Sequence, residues 1–142
     1  MRKNLAVIAV IIMVCVVFCG CGKKEAEQEG KGKIQMVATT WGVGIREDGT
    51  EGMYRNAEAK EMSEPKAGDV LYDGTMGMLS IASISDKELV LNNSGFGVPD
   101  EDGNISLLQD PPKTIKIQSG ETLNLNTLSM DSGVEMVITY SK

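Results

Sequence analysis

Apolar positions are distributed along this chain in two ways. Leu5 to Cys19 is an unbroken apolar run, LAVIAVIIMVCVVFC. From Ile34 onward, apolar residues instead alternate with polar ones in short stretches separated by Gly, Asp, Asn and Pro. Period two over a few residues marks a half-buried strand. It predicts strands over Ile34–Trp41, closing at Gly42, over Met53–Arg55, and over Gly68–Tyr72, closed by Asp73-Gly74. Met78 to Ile84, the turn Ser85-Asp86-Lys87 and Glu88 to Asn92 read as a hairpin. Asn93 to Asn104 is a long loop, and Ile105–Gln109 a strand broken by Pro111-Pro112. Thr114–Gln118 points Ile115 and Ile117 to one side, and Thr122–Asn126 does the same with Leu123 and Leu125. In the last strand Val134, Met136, Ile138 and Tyr140 share a face, with Glu135 and Thr139 on the other. Asn56–Glu64 reads as a surface helix, capped by Asn56 and stopped by Pro65.

Short strands at this spacing predict a mostly β domain: an antiparallel β-sandwich, immunoglobulin-like or a small barrel. The Cys…Trp…Cys pattern of immunoglobulin domains is absent, so that likeness concerns architecture only. Gly42-x-Gly44 reads as a turn, since it lacks the third spaced glycine of a nucleotide fingerprint.

The front of the chain has a separate logic. Arg2 and Lys3 precede the apolar run, which at helical rise spans roughly 22 Å. That is short of a bilayer core of about 30 Å and fits the h-region of a signal peptide. Positive charge before the run keeps the N-terminus in the cytoplasm and sends the rest across. Phe18-Cys19-Gly20-Cys21 then resembles the lipobox of bacterial lipoproteins. The resemblance implies that the Cys21 thiol takes a diacylglyceryl group, with fatty acyl (palmitate) chains, and that the peptide is cut just before it. Gly20 is small enough for the cleaved bond to fit the protease, whereas Cys19 as acceptor would place bulky Phe18 there. Phe18 itself stands where Leu is usual. An uncleaved membrane helix and a plain secretory signal are the other readings of this segment. The organisation expected is a signal peptide over 1–20, a lipidated Cys and flexible linker over 21–33, and a β domain over 34–142. Gly22 to Lys33 is too polar to order itself, and its root-mean-square reach is roughly 20 Å.

Charge and residue inventory narrow the chemistry. The formal net charge is −6, and without Arg2 and Lys3 it falls to −8. An acidic domain argues against nucleic acid and against lying flat on anionic lipid. All three cysteines lie at or before position 21, so the mature domain has no disulfide and no thiol nucleophile. The chain has no His, which removes Ser-His-Asp hydrolysis and His-ligated zinc. Carboxylates such as Asp69, Asp73, Asp86, Asp110 and Asp131 could still pair for glycoside hydrolysis, but turns favour Asp for their own geometry. Asp100, Asp102 and Asn104 match the first ligands of a calcium loop, and the template then fails at Ile105 and Pro111. Met76-Gly77-Met78 has a thioether spacing suited to Cu(I), while Met36 and Met136 occupy core-like strand positions. Trp41 reads as a core residue, with a sugar-stacking platform as the alternative.

The function expected is a non-enzymatic binding or interaction module, lipid-anchored through Cys21 on the extracytoplasmic face of the cell membrane. It needs no cofactor, and its partner is a protein or a glycan. The alternatives are an accessory component of an envelope or transporter complex, and a surface lipoprotein that binds Ca or Cu through the Asp100 loop or the methionines.

Overall fold

The computed structural model describes residues 32–106, 109–127 and 129–142, all of them in strands, turns and links. Nine strands follow in order: β1 Lys33–Ile45, β2 Glu51–Ser63, β3 Val70–Gly74, β4 Gly77–Ile84, β5 Glu88–Ser94, β6 Phe96–Gly97, β7 Thr114–Gln118, β8 Thr122–Thr127 and β9 Ser132–Ser141. They form a five-stranded sheet, β2-β1-β9-β8-β6, and a four-stranded sheet, β3-β4-β5-β7. Every pairing is antiparallel. The two sheets stay open and face each other, which makes a sandwich rather than a closed barrel.

Alternation explains how the layers meet. Among the described residues, the sixteen hydrophobic residues of the buried core divide equally between the sheets. One layer supplies Ile34, Met36, Phe96, Leu125, Val134, Met136, Ile138 and Tyr140. The other supplies Leu71, Leu79, Ile81, Ile84, Leu89, Leu91, Ile115 and Ile117. Register sets these side chains opposite one another: Ile34↔Tyr140 and Met36↔Ile138 in the first sheet, Leu89↔Ile117 and Leu91↔Ile115 in the second. Such burial is worth about 1.5–3 kcal/mol per large side chain. The one buried polar side chain among the described residues, Thr127, accepts a hydrogen bond from the Val134 N–H at 2.9 Å.

Two expectations fail in the first hairpin. The segment Asn56–Glu64 is not a helix; up to Ser63 it belongs to β2, and Glu64 follows with a φ of 55°. β2 pairs with β1 residue by residue, from Lys33↔Ser63 to Ile45↔Glu51. Helix propensity is a weak prior, and a continuous ladder to a neighbouring strand overrides it. Nor does β1 turn at Gly42; it runs on to Ile45. The Tyr54 ring lies across Gly42, where an added Cβ would sit 2.7 Å from the phenol oxygen. The glycine pair therefore makes room for an aromatic side chain inside a ladder.

Two smaller differences lie elsewhere. β3 is Val70–Gly74 rather than Gly68–Tyr72, because Gly68 has a φ of 91° and belongs to the preceding turn. Ile105 and Ser106 form no strand, and β6 is a two-residue pairing of Phe96 and Gly97 with Thr127 and Asn126.

The end of the sandwich where the chain enters is firmly built. Gly32 accepts a hydrogen bond from the Glu64 N–H at 3.2 Å and packs against the Tyr140 ring. The Tyr140 hydroxyl donates to the Ser85 carbonyl, and the adjacent Asp86 pairs with Lys142. Burial first, and the Asp86 charge second, push the Tyr140 phenol above its ordinary value, with Lys142 acting against them. The neutral phenol is thus favoured by the fold. Its contribution is fully present below the ordinary tyrosine value of about 10 and is lost as pH rises through the raised value. Tyr140→Phe is expected to cost about 0.5–1.5 kcal/mol at neutral pH. Urea unfolding near pH 11 should show that deficit narrowing or gone, because only the wild type then has a buried phenol to ionise. A deficit that is equal or larger near pH 11 would contradict this account.

Candidate functional site

Cys21, the expected lipidation site, lies outside the described residues, as do the expected signal peptide over 1–20 and the expected linker up to residue 31. No helix of the described residues is long and apolar enough to cross a membrane.

The acidic loop is folded onto itself. Asp100 Oδ1 accepts from the N–H groups of Asp102 at 3.0 Å and Asn104 at 2.8 Å, and Gly103 closes the turn with a φ of 81°. Its carboxylate is thus engaged in local turn geometry. Asp69, Asp86, Asp110 and Asp131 are spread over different turns and links, and Asp73 lies in β3. Among the described residues no group of three or more His, Cys, Asp or Glu side chains converges on a cation position. Met36 and Met136 are buried in the core, whereas Met78 is exposed and Met76 half-buried.

Trp41 corrects the expectation of a core residue: it is half-buried and stands outside the buried cluster. Strand alternation sets it on the side of β1 that also carries Val37, Thr39 and Val43, away from Ile34 and Met36. Its indole lies against Gly133, where a Cβ would come within 2.9 Å of the ring.

That outer face of the five-stranded sheet is the most distinctive surface of the domain. Val37 and Val137 are cross-strand partners, each 40% exposed, and Ala59 lies opposite Val37 on the other flank. The apolar strip continues along β1 and β2 as Val43 opposite Met53, then Ile45. Val43 is 68% exposed, Ile45 74% and Met53 54%. There the sheet narrows to a ribbon, because β9 pairs with β1 only from Lys33 to Gly42. The Val43 N–H still reaches the Asp131 carbonyl at 3.1 Å. The ribbon ends in a turn held by Asp48, whose carboxylate accepts from the Thr50 hydroxyl at 2.7 Å and its N–H at 3.0 Å. Those bonds, the hydroxyl's first, hold the Asp48 carboxyl below the usual range.

Polar groups frame the strip and cross it. Arg55 reaches over β1 to Glu135 between Val37 and Val43, and Lys33 pairs with Glu61 at 2.8 Å. Glu61 also accepts from the Gln35 side chain at 3.2 Å, and these bonds, that from Lys33 first, lower its carboxyl. Two shallow depressions lie along the strip and share Val137. One, about 540 Å³, lies between the Val98–Gly103 segment and Asn124, Asn126 and Glu135. The other, about 420 Å³, lies over Gln35, Val37, Ala59 and Thr139. This arrangement offers apolar contact and hydrogen bonds in one plane, with no histidine or thiol in the domain to supply a nucleophile.

The sequence carried a signal for this face that strict alternation passes over. Met36-Val37-Ala38 and Met136-Val137-Ile138 are apolar at three successive positions, so the strand is apolar on both sides. Comparison with protein-family models, with curated proteins and with solved structures gives no match for this chain.

Proposed function

We propose that this protein is a lipoprotein tethered through Cys21 to the outer face of a membrane, where it acts as a non-enzymatic module binding another protein. The observation that carries the binding reading is the placement of exposed apolar side chains. Of the ten large ones among the described residues, five (Val37, Val43, Ile45, Met53 and Val137) share the outer face of one sheet and its ribbon. Exposed apolar surface gathered on one face among polar groups is a mark of protein interaction sites. A single aromatic residue, Trp41, lies on that face, so aliphatic contact predominates over sugar stacking. Phe96 and Tyr140 are buried, Tyr72 packs edge-on against Phe96 at 5.5 Å, and Tyr54 covers the opposite side of the ribbon.

The tether supports the same reading by geometry. β1 starts beside the end of β9, with Lys33 opposite Ser141. The ribbon tip is at the other end of β1, roughly 40 Å away. A domain held at Gly32 therefore presents the ribbon away from its attachment.

The test is a photo-crosslinking amino acid at Thr39, in the middle of the face, introduced in intact cells. It should give a defined adduct, whereas the same probe at Lys116, on the opposite sheet, should not. Val37→Lys combined with Val137→Glu replaces the apolar centre by a cross-strand ion pair. That variant should lose the adduct while its melting temperature shifts by only a few degrees, a change of about 1 kcal/mol or less. An adduct that survives it, or equal labelling from Lys116, would defeat the reading.

A further inference from the structure

β2 is an open edge of an unusual kind. It is thirteen residues long, pairs with β1 throughout without a shift of register, and has no strand on its other side among the described residues. In an antiparallel pair successive residues turn their N–H and C=O groups alternately toward the partner and away from it. β2 thus carries a row of outward main-chain donors and acceptors roughly 40 Å long.

Edges that remain unpartnered usually carry protection: brevity, a bulge, proline, or outward-pointing lysine. The other edges of this sandwich fit that rule. β6 has two residues, β7 has five, and β3 has five with a register shift between Val70 and Tyr72. β2 has no proline and no bulge, and its cations turn away from the edge. Arg55 pairs with Glu135 on β9. Lys60 donates to the carbonyls of Val70 at 3.1 Å and Leu71 at 3.2 Å.

We propose that β2 takes up an extended segment of a different protein as a sixth strand of this sheet. The proposal rests on the reading of the domain as a binding module and specifies how the partner is held. Main-chain bonds to an exposed edge supply affinity, and alternate side-chain positions supply selectivity. A second copy of this chain fits poorly. Pairing two β2 strands in parallel, which keeps both tethers at one end, sets Glu58, Lys60 and Glu61 each against itself. Antiparallel pairing places the two Gly32 ends at opposite ends of the joint sheet and brings together two chains of formal charge −6.

The chemistry of the incoming strand follows from the side chains it meets. Ala57 and Ala59 are small and exposed on the outer face, leaving space for large apolar residues beside Val37. Glu58 projects on the other side, exposed and paired with no cation among the described residues. The segment that fits alternates large apolar residues with polar ones and sets Lys or Arg near Glu58.

The experiment uses the full lipidated chain in detergent and a displayed library of random dodecapeptides as the probe. Selected peptides should show that alternation with a basic residue, and synthetic versions should slow exchange of alternate β2 amides. Ala57→Pro and Glu58→Pro separate the two directions of the ladder. One removes an N–H bonded to β1 and lowers the melting temperature. The other removes an outward N–H, which an edge tolerates; it should keep the melting temperature and weaken the peptides by about tenfold or more. Glu58→Lys should weaken them by a similar factor. The inference is overturned if no peptide is enriched over bare support, or if peptides bind without protecting β2. It is also overturned if the proline variant that keeps its fold binds them equally, or abolishes a dimer seen by sedimentation. A complex disrupted by the Val37 and Val137 changes but indifferent to both prolines would sink this inference and leave the proposed function standing.

Discussion

Leu91→Ala is expected to destabilise the domain by about 2–5 kcal/mol, enough to threaten folding outright. Leu91 is 0% exposed and lies in the second sheet between Ile81 and Ile115, its cross-strand neighbours. Truncation removes transfer free energy and leaves a cavity that a two-layer core refills poorly. Nothing else cross-links the fold, because no cysteine lies beyond position 21. At roughly 4–8 °C per kcal/mol for a domain of this size, the melting temperature should fall by ten degrees or more. Leu91→Met, which conserves volume, should cost less than about 1.5 kcal/mol. Equal losses from the two substitutions, followed by thermal melting, would mean that packing at this position is not what matters.

The second large effect concerns Cys21. Cys21→Ala is expected to abolish incorporation of labelled fatty acid and to leave the chain released or as uncleaved precursor. Cys19→Ala should be labelled and processed as the wild type is, because the residue before the acceptor must be small and Gly20 remains. Stable anchoring takes two acyl chains, so any cleaved chain should leave the membrane nearly completely, whereas uncleaved precursor should stay with it unlabelled. Fractionation together with fatty-acid labelling reads both variants. Persistent labelling of Cys21→Ala, or its loss in Cys19→Ala, would move the acceptor to another residue.

The strands legible from the sequence are those with one side in the core. In β7, β8 and β9 the apolar residues Ile115, Ile117, Leu125, Met136 and Ile138 mark the inner face, and polar residues fill most of the other positions. β2 was hidden for the complementary reason. It is solvent-exposed on nearly every residue, so no burial imprints a period on it, and its Ala, Glu and Lys content suggests a helix. The continuation of β1 through Gly42 and Gly44 depends on Tyr54, a residue ten positions beyond the second glycine that meets them only once the hairpin has formed. Residue type alone places Trp41 in the core, but the space for its indole comes from Gly133 on another strand. The outer face was legible in part, through the apolar triplets around Val37 and Val137. Its extension into the ribbon was not, since it requires knowing where β9 stops pairing with β1.

The place of β1 in the sheet also determines how the domain bears force. On the proposed anchoring, tension would reach the domain at Gly32, directly before the one strand that has β2 along one side and β9 along most of the other. Tension drawn from that point toward a partner on the outer face runs along the strand axis. Antiparallel hydrogen bonds lie across that axis, so two ladders are sheared together instead of being unzipped one bond at a time. Had the tether joined at β2, the same pull could have peeled an edge strand away. On the proposed anchoring, with β1 as the attached strand, a pull on the outer face would load two ladders in shear rather than peel an edge.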